Sequence, residues 1–153
     1  MKGIDVQVVT KVPCPAKNEI KSWAKATLNQ QNTSGSLVVR IVDEAEMISL
    51  NHQYRKKEKP TNVLSFRCDL PTHIRGDILG DIVICASVVA REALAQDKTA
   101  QEHWAHMVVH GVLHLLGFDH ENEQDATKME NHEITILSEL GFANPYRVTK
   151  MHE

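Results

Sequence analysis

Apolar and polar residues alternate at the start of the chain, where Ile4, Val6 and Val8 are separated by Asp5 and Gln7. That two-residue period predicts a strand with one buried face. Pro13 and Pro15 end it. From Ala16 to Gln31 the period lengthens, and Ile20, Trp23, Ala24, Thr27 and Leu28 fall on one side of a helix. Asn32-Thr33-Ser34-Gly35-Ser36 reads as a turn, and the β-branched run Leu37 to Val42 as a second strand. Asp43, with Glu46 three residues on, predicts a capped helix start. This helix carries Met47, Leu50 and Tyr54 until the charged run from Arg55 to Lys59 and Pro60 stop it. A third strand is expected over Thr61 to Phe66, a loop without a helix over Asp69 to Asp77, and a fourth strand over Gly80 to Cys85. The unbroken Ile82-Val83-Ile84 is the pattern of a strand buried on both faces. Three helices follow: Ser87 to Gln96, one capped by Thr99 that runs to Leu116 and stops at Gly117, and Gln124 to Leu140. The last has Met129, Ile134, Leu137 and Leu140 inward and Gly141 as its C-terminal glycine.

The order β-α-β-α-β-β-α-α-α predicts an α+β fold: a single domain with a small mixed four-stranded sheet packed with about five helices. The helix-free link between Leu64 and Ile84 makes those two strands antiparallel neighbours. With 153 residues there is room for one core, so the domain is expected to span 1–153, with a loose tail after about 145. At 42% hydrophobic and 24% charged residues the chain has a globular composition, which excludes extended disorder. No apolar run approaches the roughly 20 residues of a membrane span, and the first residues lack the apolar stretch of a secretory leader. Three scattered cysteines, Cys14, Cys68 and Cys85, point to a reducing, cytoplasmic setting rather than a disulfide framework or a cysteine-based zinc site. The net charge of -3 excludes a globally basic nucleic-acid binder and leaves a local patch as the means of such binding.

The histidines change the picture. There are nine, and His103, His106, His110, His114 and His120 are crowded into one short segment. His110 and His114 sit four apart on an apolar helix, so their Cβ atoms lie about 6 Å from each other on one face. Two Zn–N bonds of about 2.0–2.1 Å can bridge that gap. Gly117 can reverse the chain and bring His120 back toward the pair. Three neutral imidazoles with an open fourth position make the donor set of a catalytic zinc centre. The spacing H-x-x-x-H-x-x-G-x-x-H equals the metal half of the metzincin protease pattern, but the general-base Glu that follows the first His there is Gly111 here. His103 and His106 continue the stripe and read as supporting residues, and Asp119 reads equally as a turn residue or as an acceptor for a ligand imidazole.

A second constellation runs from Tyr54 to Phe66. Arg55, Lys56, Lys57 and Lys59 form a positive patch on an acidic chain. Lys56, Lys57 and Lys59 suit a solvated face or the backbone of an RNA. Arg55 ends a helix just before the strand expected near the metal, where a guanidinium can grip a phosphate with two parallel hydrogen bonds.

His110 to His120, Tyr54-Arg55 and Pro60-Thr61-Asn62-Val63-Leu64-Ser65-Phe66 together resemble the YbeY family of bacterial metal-dependent endoribonucleases. Leu79 to Cys85 and His103-Trp104-Ala105-His106 add to the likeness, which covers about residues 40–142. It implies one α+β domain and one Zn2+, or another divalent transition metal, on His110, His114 and His120. It further implies Arg55 as the functional arginine and cleavage of single-stranded RNA. The implied setting is maturation of small-subunit ribosomal RNA and ribosome quality control, with the ribosome or its small subunit as partner. Arg67-Cys68 departs from the family pattern, which has a Pro just after Phe66. Two nucleophiles are compatible with these residues, a metal-activated water and the RNA 2'-hydroxyl. The competing readings are a metzincin-like metallohydrolase or peptidase and a non-catalytic, zinc-stabilised ribosome assembly factor.

Overall fold

The structure is a computed structural model that describes residues 3–57, 59–119 and 121–146. Its elements run β1 (Ile4–Val8), α1 (Lys17–Gln30), β2 (Ser36–Val42), α2 (Glu44–Arg55), β3 (Val63–Arg67), α3 (Thr72–Arg75), β4 (Ile78–Cys85), α4 (Ala86–Ala95), α5 (Ala100–Leu115) and α6 (Glu123–Glu139). The four strands form one mixed sheet in the order β1-β2-β4-β3. β1, β2 and β4 are parallel, and β3 lies antiparallel on the β4 edge with Leu64 opposite Val83 and Ser65 opposite Ile82. The α+β architecture and the antiparallel β3–β4 pair are as the sequence predicts.

Alternation along the strands divides the interior in two. Val39, Ile41, Ile82 and Ile84 face α1 and α5, meeting Ile20, Trp23, Trp104, Val108 and Val112 in the main core. Val42, Leu64, Val83 and Cys85 face the other way and pack under Met47 of α2. The central strands are therefore covered on both sides, which explains the continuous apolar run in β4. α1 buries Ile20, Trp23, Ala24, Thr27 and Leu28, the five positions its period picks out. Among the described residues no helix is long and apolar enough to cross a membrane.

Three local expectations need correction. The β3–β4 link contains a single helical turn, α3, which Pro71 opens; too short for any periodicity, it left no signal in the sequence. Asp43 does precede α2, but it makes no side-chain cap. Its carboxylate accepts a hydrogen bond from Thr10, while Glu46 pairs with Arg40 at 2.7 Å. Tertiary partners outbid the local box. On α6 the buried residues are Met129, Glu133, Ile136 and Leu137, so Glu133 rather than Ile134 turns inward. Thr99 does form its capping box with Glu102, at 3.1 and 2.9 Å. At the far end of α5, Gly117 has φ +101° and Phe118 N–H donates to Leu113 C=O at 3.1 Å, a left-handed helix stop.

α5 lies on β3 and β4 at Gly111. An added Cβ there would stand 2.9 Å from Ile82 Cγ2 and 3.4 Å from Ser65 Oγ. Ser65 Oγ donates to Gly111 C=O at 3.0 Å, tying helix to strand. Gly111→Ala should therefore strain this contact and lower stability by about 1–3 kcal/mol. Urea denaturation checks this, with a lower midpoint expected at an unchanged slope. A midpoint equal to that of the parent would mean that the helix rides higher on the sheet than described.

Candidate active-site cleft

The histidines of α5 form a row along one side of the helix. Ring centroids are 6.2 Å apart from His103 to His106, 6.2 Å from His106 to His110, and 4.6 Å from His110 to His114. The row runs from the interior outward: His103 and His106 are buried, while 19% of the His110 side chain is exposed. His110 and His114 open into a cavity of about 490 Å3. It is also lined by β3 and the residues before it, Thr61, Asn62, Val63, Ser65 and Arg67, and by Arg55 from the end of α2.

Arg55 reaches this place because α2 stops there. Lys56 takes the left-handed conformation at φ 60° and turns the chain away. Tyr54 sets its ring edge-on to Phe66 of β3 with centroids 4.9 Å apart, fixing the helix end to the strand. Asn51 Nδ2 donates to the Lys59 carbonyl at 2.8 Å and holds the connecting loop. Lys56, Lys57 and Lys59 are exposed on that loop and do not line the cavity. His120 lies outside the described residues. Asp119 lines a separate depression of about 300 Å3 with Gly117, Phe118 and Lys128.

Behind the two cleft histidines stands Glu133 of α6, which is fully buried. His110 Nδ1 lies 2.6 Å from Oε2 and His106 Nε2 lies 2.9 Å from Oε1. The Tyr146 hydroxyl also donates to Oε1 and lies 3.2 Å from His106 Nε2. Burial alone would push this carboxyl up, but hydrogen bonds and charge from His106 and His110 outweigh it and hold it at about 2. An ionised carboxylate only accepts, so both imidazole nitrogens facing it are donors. Burial and the Glu133 charge push the Tyr146 hydroxyl up, and it stays protonated.

His103 has its own partner. Its Nε2 lies 2.8 Å from Glu92 of α4, and Glu92 also accepts from Asn62 Nδ2 at 3.1 Å. Asn62 Oδ1 in turn accepts from the Val63 backbone N–H at 2.7 Å, where β3 begins. The buried end of the histidine row thus braces the β3 lining of the cleft.

The donor chemistry fits a transition metal. Two imidazoles at i and i+4 share a partly open cavity, and a carboxylate commits Nδ1 of one of them to donation, which leaves Nε2 as that ring's ligating nitrogen. His106, His110 and Glu133 also place one ligand atom each within 4.8 Å of one another, a group able to hold a metal ion. Gly111, directly after His110, faces the sheet and offers no side chain to the cleft.

A family model described as Endoribonuclease YbeY matches residues 7–141. A curated protein of that name from Nitrosococcus oceani is 51% identical over 140 residues, covering 90% of this chain and 92% of the relative. The chain belongs to the YbeY family. The solution structure of TM1509 from Thermotoga maritima has the same fold, with a TM-score of 0.61 at 22% identity over 98% of this chain and 99% of that one.

His110, His114 and Arg55, singled out from the sequence, line one cavity from two elements distant in sequence. Glu133 and Glu92 were not among the residues singled out from the sequence, and Asn62 and Arg67 entered only as part of the family-like segment and as a departure from its pattern. Glu133 had a readable signal: an acid four residues after Met129 and four before Leu137 occupies the apolar face of its helix. That Asn62 and Arg67 line the cavity had no local signal, because their place depends on where β3 lies relative to α5.

The His103 pair gives a pH test. Burial pushes the His103 imidazole below its ordinary value, against the opposing pull of Glu92. With the folded value below the unfolded one, the unfolded chain binds more protons below about pH 6.5, and stability falls as the pH drops through that region. Glu133 does not confuse this window, since its depressed value removes stability only between the ordinary carboxyl range and about 2. His103→Gln keeps a donor toward Glu92 and cannot charge. Urea midpoints measured from pH 7.5 to 5.5 should fall less in this variant than in the parent; parallel profiles would show that His103 titrates as freely in the folded chain as in the unfolded one.

Proposed function

We propose that this chain is a metal-dependent endoribonuclease that cleaves single-stranded RNA. On this reading His110, His114 and His120 hold one Zn2+ or a similar divalent metal, and Arg55 binds the scissile phosphate. The single observation that carries it is the shared cavity: two helical imidazoles and the arginine at the end of α2 line the same space in a chain of the YbeY family. The relative's name, Endoribonuclease YbeY, supplies the activity and the RNA substrate class. Small-subunit ribosomal RNA maturation and ribosome quality control in the cytoplasm are the setting the family resemblance implies, within one domain spanning 1–153.

When bound, the metal supplies Lewis-acid polarisation of a phosphoryl oxygen and acidifies a water. The chain's own residues do the rest. Arg55 can hold two phosphate oxygens at once, and its hydrogen bonds strengthen as charge builds on the phosphorus-bound oxygens. Arg67 adds a second cation to the same cavity, and the exposed Lys56, Lys57 and Lys59 extend the positive face beyond it. The peptidase reading loses support at Gly111, since the position that carries the base in those enzymes is filled by the helix–sheet contact. The assembly-factor reading predicts binding without turnover, so a cleavage assay separates it.

The decisive experiment pairs metal content with cleavage of a fluorescent single-stranded RNA. About one zinc per chain is expected, with cleavage abolished by chelator and restored by added metal, and with both lost in His114→Ala because two remaining imidazoles bind weakly. Cleavage indifferent to chelator and to His114→Ala would overturn the reading. In single-turnover measurements Arg55→Ala should slow cleavage by about 10²–10³ at saturating enzyme, with little recovery in Arg55→Lys. Lys57→Ala should weaken RNA binding, flatten its salt dependence and leave the saturated rate alone. Equal small losses in both alanine variants, cured by more enzyme, would reduce Arg55 to one more surface cation.

A further inference from the structure

Glu133 is the most confined charged group described in the molecule, and its surroundings give it a task. Its side chain is wholly inaccessible and lies on the face of α6 that also buries Met129, Ile136 and Leu137. A lone carboxylate in such a place is costly, and here three donors offset that cost: His110 Nδ1, His106 Nε2 and the Tyr146 hydroxyl. The distribution is unequal. Oε1 takes both His106 and Tyr146, which fixes the carboxylate plane, and Oε2 is given to His110 at 2.6 Å. Among the described residues His106 Nδ1 is buried without a partner, so the polar contacts of this ring all lie at Nε2, with Glu133 and Tyr146.

Resting on the reading of His110 as a metal ligand, we propose that Glu133 is the positioning residue that locks His110 in the Nδ1–H tautomer and aims Nε2 into the cleft, with His106 and Tyr146 anchoring it. Neutral imidazole carries one proton, and the nitrogen without it is the ligand. A carboxylate that can only accept forces the proton onto Nδ1. It also fixes the ring plane, because the short contact leaves His110 little freedom about its Cβ–Cγ bond. Tyr146 brings the segment after α6 into the same assembly, although the sequence suggests only a loose tail beginning near this point.

Glu133→Gln is the test, because the amide keeps the shape and offers one acceptor and one donor end. It can satisfy His106 or His110 in their present tautomers, but not both. Long-range 15N–1H spectra of the metal-free full chain at pH 8 should show His110 protonated at Nδ1 in the parent and shifted toward Nε2–H in Glu133→Gln. Co2+ titration followed by visible absorption should then show an affinity about 10–100-fold weaker in the variant. Tyr146→Phe, which loosens the anchor without touching His110, should move both readouts in the same direction by less. An unchanged His110 tautomer together with an unchanged Co2+ affinity in Glu133→Gln would overturn the proposal. If Glu133→Gln does not fold, as circular dichroism would show, Tyr146→Phe and His106→Asn decide: parental tautomer and affinity in both would overturn it. If the parent itself takes up no Co2+, the metal reading fails, and the tautomer spectra still report whether Glu133 controls His110.

Discussion

α5 is apolar around most of its circumference and crosses the sheet so closely that position 111 has no room for a side chain. Such a helix cannot slide or rotate without driving an atom into Ile82 or breaking the Ser65–Gly111 hydrogen bond. Side chains on a helix are fixed in azimuth by the backbone, so this one contact sets the direction of every histidine on it. It also places β3, because Ser65 is both the residue that touches α5 and a lining residue of the cleft. The width of the cavity therefore follows from how near α5 approaches the strand, which makes a glycine at 111 a condition for the site rather than a vacancy where a base was lost.

The polar groups behind the cleft follow from the same burial. A row of imidazoles on a core helix needs partners, since a buried polar group without one is destabilising. Two carboxylates from different helices supply them, Glu92 from α4 to His103 and Glu133 from α6 to His106 and His110. Each carboxylate does more than satisfy a ring. Glu92 carries on through Asn62 to the first residue of β3, and Glu133 carries on to Tyr146. The walls of the cleft are thus held from behind by two carboxylates, and around the fully buried Glu133 hydrogen bonds are stronger and displacement is penalised more heavily than at the surface.

What the sequence revealed and what it hid divide along this line. The strands, the five long helices, the Thr99 box and the Gly117 stop were legible because each depends on residues within one or two turns of each other. The His110 and His114 pair was legible for the same reason. The pairing of Arg55 with those histidines came from family resemblance, since nothing local links residue 55 to residue 110. Asp43 and Glu46 misled because Thr10 and Arg40, distant in sequence, compete for them. Glu133 lies between Met129 and Leu137 on the inward face of α6, but an acid there takes on meaning only once the histidines of α5 are known to face it, and that is a long-range fact.

The chemistry of the cleft walls limits what they can recognise. Among the lining residues there is no Phe, Tyr or Trp; Tyr54, next to Arg55 in the chain, has its ring edge-on to Phe66 and serves to hold α2. Stacking of bases contributes about 1–3 kcal/mol per base on such rings, and no Phe, Tyr or Trp among the lining residues offers that platform. What the walls present is two guanidiniums, from Arg55 and Arg67, with the hydroxyls of Thr61 and Ser65, the amide of Asn62 and the imidazoles of His110 and His114. These groups address phosphate and sugar oxygens, which every nucleotide carries in the same geometry. On the proposed reading such walls hold a strand by its backbone and give little preference for any one base.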